Sequence, residues 1–321
     1  MIPLAEIEAA RERLAGTTIE TPLVRLHSDD VPAEIWLKLE SLQPIGSFKL
    51  RGAGNAILSA SPEELADGVV TTSTGNMAQG VAWMARELGI PATIVVPDNA
   101  SQAKLAAVER LGGRIVRIPW ERWWAAVEAD EERDLGEGVE GFFVHPVRDA
   151  PVIAGNGTIG LELVEQLDDI DAVLIPWGGG GLTTGIASAL HALSPQTKIY
   201  VCEPETGAPV TGAIANGGER VPVPFTPSFV DGAGSGGLLP DMWEHARPLV
   251  TDAFPISLED TAAAVKLLLE RARIVAEGAA ALPVAAALAG NAGSGRVVCI
   301  VSGGNIDASH LAAILDGRVP A

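Results

Sequence analysis

A lysine and a run of glycines are the residues of this chain whose types and positions could carry chemistry. Lys49 follows a turn that Pro44 and Gly46 predict, and a helix is expected from Ala53 to Ala60. The lysine would therefore lie at a loop-to-helix junction, where a held amine can act as a nucleophile or a base. An ordinary surface lysine is the alternative, and the surrounding motifs weigh against it.

The glycine run predicts a phosphate site. Gly178, Gly179, Gly180 and Gly181 come directly after an apolar strand and directly before a predicted helix. Backbone N–H groups in such a turn converge on a phosphate, and the helix N-terminus adds roughly half a positive charge. A flexible linker is the alternative. The run is neither a Walker loop nor a Gly-x-Gly-x-x-Gly fingerprint, so a nucleotide-binding oxidoreductase is only weakly supported.

Two polar segments occupy the same kind of position, between a predicted strand and a predicted helix. One runs from Thr72 to Gln79, and the other is Ser302-Gly303-Gly304-Asn305. Ser, Thr and Asn side chains cap helices at such junctions, so capping without chemistry is one interpretation of both segments. The order of all these motifs along the chain supports the alternative, that both segments have a functional role.

In that order, the motifs resemble the fold-type-II pyridoxal-phosphate (PLP) enzymes, specifically the family of serine/threonine dehydratases and serine racemase. The resemblance covers essentially the whole chain. One matching block would be weak evidence, and five in sequence are strong. The blocks are Ser47-Phe48-Lys49-Leu50-Arg51-Gly52-Ala53, the Ser-Thr-Gly-Asn loop at 73 to 76, the segment from His145 to Gly160, the glycine run, and Ser302-Gly303-Gly304-Asn305.

The resemblance implies a role for each predicted site residue. Lys49 would bind PLP covalently and move the α-proton of the substrate, and Thr74 would be the second catalytic residue. Ser302 would hydrogen-bond the pyridine nitrogen. The other implied cofactor contacts are Phe48, Asn76, Gly178, Gly179, Gly180, Gly181 and Glu277. The implied substrate contacts are Ser73, Thr74, Gly75, Asn76, Met77 and Gln79. For Glu277, a plain helix-end glutamate is an equal alternative.

Two residues depart from the family pattern. Thr74 stands where serine racemase has the serine that acts as acid or base on the second face of the substrate, which puts racemase activity in question. Met77 replaces the usual histidine near the substrate carboxylate, which leaves the preferred substrate open.

The expected activity is β-elimination. A hydroxyl such as that of Ser302 does not hold the pyridine nitrogen protonated, which favours elimination over transamination. We expect an ammonia-lyase that converts L-threonine, L-serine or a related β-hydroxy amino acid into a 2-oxo acid and ammonia. The alternatives are an amino-acid racemase or a dehydratase of 3-hydroxyaspartate or a hydroxyectoine-derived compound. A β-replacement synthase and a PLP-binding protein without turnover are further alternatives.

The fold class expected is α/β. Apolar strands, among them Val69–Thr72 and Ala172–Pro176, alternate with helices, which predicts a parallel sheet covered on both faces. The resemblance implies the tryptophan synthase β-like architecture, with two domains that each hold a mostly parallel sheet flanked by helices. The large PLP-binding domain would comprise 1–49 plus 149–321, and the small domain 50–148. The segment 207–237 is expected to form a long functional loop or partly ordered lid.

The composition excludes several functions. The formal net charge of -19 over 321 residues argues against a nucleic-acid or anionic-membrane partner. No run approaches the ~18 apolar residues of a membrane span, so we expect a cytoplasmic enzyme acting on a small amino acid.

Cys202 and Cys299 are expected to be buried free thiols. Glu203 resembles part of a cation site, but Pro209 stands where a carboxylate ligand is expected, so no metal is predicted. The family resemblance implies a homodimer, and the tryptophans Trp120, Trp123 and Trp124 are expected to pack under the domain junction.

Overall fold

Two mainly parallel β-sheets, each covered by helices, form the frame of the protein. The computed structural model describes residues 1–27, 31, 33–100, 102–129 and 134–320. The strands are β1 (Leu23–Arg25), β2 (Ala33–Leu39), β3 (Val69–Thr72), β4 (Ala92–Pro97), β5 (Arg114–Ile118), β6 (Phe142–Phe143), β7 (Ala172–Pro176), β8 (Lys198–Pro204), β9 (Asp252–Ile256) and β10 (Gly295–Val301).

Helices alternate with these strands along the chain. The α-helices are α1 (Leu4–Arg13), α2 (Lys49–Ser59), α3 (Asn76–Leu88), α4 (Gln102–Arg110), α5 (Trp120–Glu128), α6 (Ala150–Gln166), α7 (Gly181–Leu193), α8 (Pro209–Ala215), α9 (Pro240–Ala246), α10 (Leu258–Leu267), α11 (Gly278–Leu288) and α12 (Ala308–Leu315). A π-helical turn at Leu268–Ala272 continues α10. None of the described helices combines the length and apolar character needed to cross a bilayer.

The larger sheet has six strands in the order β1-β2-β10-β7-β8-β9. The edge strand β1 is antiparallel to β2, and all the other pairs are parallel. Every residue of β7 is buried, as expected of a strand covered on both faces. Cys202 on β8 and Cys299 on β10 are free and buried, which confirms that prediction.

The smaller sheet has four parallel strands in the order β5-β4-β3-β6. Its central strands β3 and β4 are buried along their whole length. The α/β fold with two mostly parallel sheets is therefore confirmed. All four strands lie inside the segment predicted as the small domain, 50–148, and the exact domain boundaries stay a prediction.

Helix α2 begins at Lys49 and not at Ala53, as the sequence pattern suggested. Gly52 and Gly54 lower the helix propensity of this segment, yet close packing requires both. A Cβ on Gly52 would lie 2.8 Å from Val152 Cγ1 on α6, and a Cβ on Gly54 would lie 2.8 Å from Leu14 Cδ2. Contacts between helices thus outweigh local propensity, and Lys49 is the first helical residue.

The tryptophan cluster lies on α5, a helix that the sequence pattern did not predict. Trp120 and Trp124 are 44% and 41% exposed. The prediction that all three tryptophans pack under the domain junction is therefore wrong for these two. Trp123 is partly buried and packs against the cluster formed by Val70, Val95 and Ile118.

The segment 207–237 is largely the expected long loop, because 216–237 contains no helix or strand. The short helix α8 near its start was not predicted. Phe229, Val230 and Ala233 are buried in the main core, so the later part of the loop is packed against the larger unit. The elements α9 and β9 follow it and were also not predicted, because their seven and five residues are too short for a clear period.

Candidate active site

A cavity of about 540 Å³ opens where β3, β7 and β10 reach their carboxyl ends, at Thr72, Pro176 and Ser302. Ligands of open α/β sheets bind at such edges. The cavity brings together all of the predicted site residues, although they come from five separate stretches of the chain. These are Phe48, Lys49, Ser73, Thr74, Gly75, Asn76, Met77, Gln79, Gly178, Gly179, Gly180, Gly181, Glu277 and Ser302.

Lys49 is held at the start of α2 by the loop that precedes the helix. Phe48 N–H donates to Ser302 O at 2.9 Å, and Ser47 forms a bridge with Gly303. The Lys49 Nζ donates to Pro146 O at 2.7 Å and lies 5.2 Å from the centroid of the Phe48 ring. The amine is therefore fixed against the cavity wall and is not mobile in solvent.

Burial makes the Lys49 amine easier to deprotonate. Desolvation lowers its pKa to about 8, and the negative charge of Glu277 opposes this shift without cancelling it. The neutral amine is the form that attacks a carbonyl carbon or accepts a proton. The site thus prepares Lys49 for either role near neutral pH.

We expect PLP uptake by the apoprotein to follow this pKa. At pH 6 roughly 1% of the Lys49 amines are neutral, and the fraction rises about tenfold per pH unit until it levels off above about pH 8. The rate of uptake, followed by the visible absorbance of bound cofactor, should rise and level off in the same way. A rate that continues to rise toward pH 10 would show that the amine is not desolvated.

Close packing requires glycine at two positions of the run, where the backbone borders the cavity. Gly180 has a φ of +96°, and a Cβ there would lie 2.7 Å from the Trp177 ring. A Cβ on Gly181 would lie 2.5 Å from Val147 O. Gly181 begins α7, whose first backbone N–H groups have no partner within the helix and favour an anion.

Glu277 joins the two sheets through a chain of side-chain hydrogen bonds. Asn76 Nδ2 donates to both carboxylate oxygens of Glu277, at 3.0 and 3.1 Å. Asn305 Nδ2 donates to Asn76 Oδ1 at 2.7 Å and to Ile45 O at 2.9 Å. Burial raises the pKa of Glu277, while the bonds from Asn76 and from the Asn305 backbone oppose the increase. Glu277 is both the residue before α11 and part of the cavity wall.

Several residues of the cavity were not predicted from the sequence. Asn305 is the last residue of the Ser302-Gly303-Gly304-Asn305 motif, which could have identified it. Asp231 lies in the segment without periodicity, where no signal marked it. The further residues that sequence reasoning missed include Pro146, Val147, Trp123, Val127, Arg110 and His310.

Glu203 lies elsewhere and caps a helix. Its carboxylate accepts hydrogen bonds from Val210 N, Thr211 N and Thr211 Oγ1, each at 2.9 Å. Burial is the largest cause that raises its pKa, to about 7. These three contacts come from the beginning of α8, so the carboxylate contributes to the fold at this position.

The residues present fit the cofactor that the sequence predicts. The start of α7 suits a phosphate, Lys49 offers an amine, and Ser302 lines the same cavity. The lining therefore combines an anion site, an amine and a hydroxyl, the kinds of group that suit the phosphate, the aldehyde and the ring nitrogen of PLP.

Comparison with known proteins agrees with the geometry. Relatives include an L-threonine ammonia-lyase of Geobacter sulfurreducens, 38% identical over 98% of this chain and 79% of that protein. A serine racemase of Oryza sativa subsp. indica is 34% identical over 94% of this chain and 90% of its own length.

Solved structures show the same fold. Maize serine racemase has a TM-score of 0.87 at 32% identity and covers 98% of this chain and 97% of its own. The processed form of threonine deaminase isoform 2 from Solanum lycopersicum has a TM-score of 0.85 at 33% identity, over 98% of this chain and 91% of its own. These likenesses confirm the fold-type-II fold class. The family model described as pyridoxal-phosphate dependent enzyme matches residues 14–303, and the chain belongs to that family.

Proposed function

We propose that the protein is a PLP-dependent ammonia-lyase that eliminates water from L-threonine, L-serine or a closely related β-hydroxy amino acid. The observation that carries this proposal is the desolvated Lys49 amine, which shares one cavity with the Ser302 hydroxyl and the anion-binding start of α7. Relatives named L-threonine ammonia-lyase, at 38% identity over nearly the whole chain, support it.

Bound PLP supplies an electron sink that makes the α-proton of a bound amino acid acidic. The protein residues do the rest. The backbone N–H groups at the start of α7 would hold the phosphate. Lys49 Nζ would remove the α-proton, because its neutral form is well populated near pH 8. The Ser302 hydroxyl would pair with the ring nitrogen without holding it protonated, and Phe48, Asn76 and Glu277 would complete the cofactor contacts.

The substrate carboxylate would be held at the beginning of α3. Asn76 is the first residue of that helix, and helix N-termini favour anions. The hydroxyls of Ser73 and Thr74, with the loop backbone at Gly75, lie beside it. Gln79 and Met77 line the same part of the cavity. The α C–H and β C–O bonds break, water leaves, and the released enamine hydrolyses to a 2-oxo acid and ammonium.

This proposal is tested by incubating the PLP-loaded protein with L-threonine and with L-serine and measuring ammonia and 2-oxo acid together. Elimination predicts equal amounts of both products. Formation of D-amino acid without ammonia would show a racemase, and a colourless protein unable to take up PLP would contradict the proposal altogether.

A racemase is the second candidate, and the likeness to maize serine racemase favours it. Racemisation needs an acid or base on each face of the α-carbon. Thr74 lines the cavity, but its β-branched side chain has fewer rotamers than serine has. The lyase remains the better-supported function.

Replacing Thr74 with serine is expected to increase racemisation relative to elimination. A freely rotating hydroxyl can reach the second face of the α-carbon, and one positioned acid or base contributes about 100-fold or more to rate. We expect the ratio of D-serine to pyruvate from L-serine to rise at least about tenfold. Thr74→Val, which keeps the shape but removes the hydroxyl, is the control and should not raise the ratio. An unchanged ratio in Thr74→Ser would show that another residue limits racemisation.

The domain division at 1–49 plus 149–321 and 50–148 is also proposed, supported by the separation of the two sheets along the chain. A homodimer is proposed from the family resemblance. A cytoplasmic location is proposed because no run of the sequence approaches the apolar length of a membrane span. Sedimentation equilibrium of the PLP-loaded protein checks the dimer.

A further inference from the structure

Trp123 and Val127 on α5 form an apolar wall that borders the active-site cavity. Met77 on α3 and Ala107 on α4 also border the cavity, but Met77 packs on the opposite face of the smaller sheet from Trp123. Serine presents no apolar group to the α5 wall, and threonine presents one methyl.

The indole of Trp123 is fixed, and its polar atom is already used. Its Nε1–H donates to Val95 O at 3.1 Å. The ring centroid lies 5.3 Å from that of Trp120 and 6.2 Å from that of Trp124. With the N–H paired to the backbone, the part of the ring that lines the cavity offers carbon atoms to a ligand. Fixed aromatic surface of this kind binds apolar groups with little loss of side-chain entropy.

Hydrogen bonds place this wall between the substrate loop and the catalytic lysine. Val95 pairs in register with Thr72, the residue immediately before the loop that starts at Ser73. At the other end of α5, Val127 O accepts a hydrogen bond of 3.0 Å from the His145 ring.

The residue after His145 is Pro146, whose carbonyl oxygen holds Lys49 Nζ. Trp123 and Val127 are four residues apart and lie on the same face of α5. The apolar wall is therefore connected to the strand before the substrate loop at one end and to the segment that carries the partner of Lys49 at the other.

Met77 lies apart from this wall. It is 1% exposed and belongs to the core on the other face of the smaller sheet, although it also borders the cavity. A wall of Trp and Val suits a branched alkyl or an aryl group better than a hydroxymethyl group.

We propose that the preferred substrates are L-3-hydroxy amino acids whose β-carbon carries an apolar group larger than methyl, seated against Trp123 and Val127. This inference rests on the proposed lyase function and narrows its substrate class. With 3-phenylserine, the α C–H and β C–O bonds break and water leaves. Hydrolysis of the released enamine then gives phenylpyruvate and ammonium, without a net oxidation or reduction.

Charged residues also line the cavity, and they define the competing class of substrate. Arg110 and His310 line it, together with Asp231 and Asp307. A second carboxylate on the substrate, as in 3-hydroxyaspartate, would be drawn to the two basic residues but repelled by the two acidic ones. The apolar wall carries no such opposition, and the experiment compares the two classes directly.

The test measures kcat/KM of the PLP-loaded protein for 3-phenylserine, L-threonine, L-serine and 3-hydroxyaspartate. We expect the value for 3-phenylserine to exceed that for L-threonine by at least about tenfold, the scale of one well-fitted apolar group. Trp123→Ala should remove at least about tenfold of this preference. Trp124→Ala is the matched control. Trp124 belongs to the same cluster but does not border the cavity, so the preference should stay unchanged.

Binding of unreactive amino acids gives a second readout that does not need turnover. L-phenylalanine and L-alanine have no β-hydroxyl to eliminate, and calorimetry gives their dissociation constants. We expect L-phenylalanine to bind at least about tenfold more tightly than L-alanine, and Trp123→Ala to remove the difference.

The proposed lyase function and the apolar-substrate inference would fail in distinguishable ways. Turnover of L-threonine and L-serine without a preference for 3-phenylserine, or a higher kcat/KM for 3-hydroxyaspartate, overturns the apolar-substrate inference and leaves the lyase intact. No ammonia from any of the four overturns the lyase, and the calorimetric comparison then decides whether the apolar wall binds as proposed. Equal dissociation constants for L-phenylalanine and L-alanine would overturn the inference that the apolar wall binds a substrate side chain.

Discussion

Replacing Lys49 with alanine is expected to reduce kcat/KM for ammonia release by at least about 1000-fold. The variant lacks both the amine that holds the cofactor and the base that moves the α-proton, and a positioned base alone contributes about 100- to 10,000-fold. Among the lysines whose side chains the structure describes, Lys49 is the one that lines the cavity. Lys38 is buried but is engaged by Glu162, Gln166 and the Thr21 carbonyl, so it cannot substitute. The measurement is steady-state release of ammonia by protein incubated with excess PLP.

The control for this variant is Lys198→Ala, which removes an exposed lysine outside the cavity and should leave kcat/KM unchanged. Thermal unfolding should show that Lys49→Ala is folded, because burying the amine is a desolvation cost that alanine does not carry. Activity within about tenfold of the unmodified protein would assign the chemistry to a different group.

Replacing Arg51 with alanine is expected to lower the free energy of unfolding by about 3–5 kcal/mol. Its guanidinium is 1% exposed and donates to both oxygens of Glu40 and to both oxygens of Glu162, at distances between 2.6 and 2.9 Å. Without Arg51, two buried carboxylates would share Lys38 as their buried basic partner. Uncompensated buried charge is costly, since neither water nor a counter-ion reaches it. Urea unfolding of the PLP-loaded protein measures the loss.

Helix α6, which carries Glu162, also offers a matched control. Glu165, on α6 like Glu162, pairs with Arg11 at 2.5 Å, but these side chains are 55% and 47% exposed. Exposed ion pairs of this kind contribute less than about 1 kcal/mol, so Arg11→Ala should change the free energy of unfolding by less than that. Similar losses in Arg51→Ala and Arg11→Ala would show that the buried network does not stabilise the fold as described.

Much of the fold can be predicted from the sequence, because the buried parallel strands form recognisable short apolar runs. The predicted bounds of Val69–Thr72 and Ala172–Pro176 coincide with β3 and β7. Both are short apolar or β-branched runs covered on two faces, which local pattern reports well. Helix α2 shows the opposite case. Its start at Lys49 depends on glycines that suit contact with α6 and with Leu14, and local propensity cannot contain that information.

The residues of the cavity fall into the same two groups, those that a local motif identifies and those that only tertiary structure brings together. Lys49, the glycine run and Ser302 stand in recognisable local motifs, so the sequence identified them. Trp123, Val127 and Asp231 were missed because only tertiary structure brings α5 and the segment after α8 to the cavity. The Lys49 partner Pro146 is 97 residues away in the chain and carries its contact through a backbone carbonyl, which any residue type could supply.

Reductive trapping tests most directly whether Lys49 holds the cofactor in this cavity. The PLP-loaded protein is treated with borohydride and digested, and the modified peptide is identified by mass spectrometry. We expect the pyridoxyl phosphate mass on Lys49 and on no other lysine, in an amount close to one per chain. Modification of a different lysine, or spread over several exposed lysines, would contradict the assignment of this cavity as the active site.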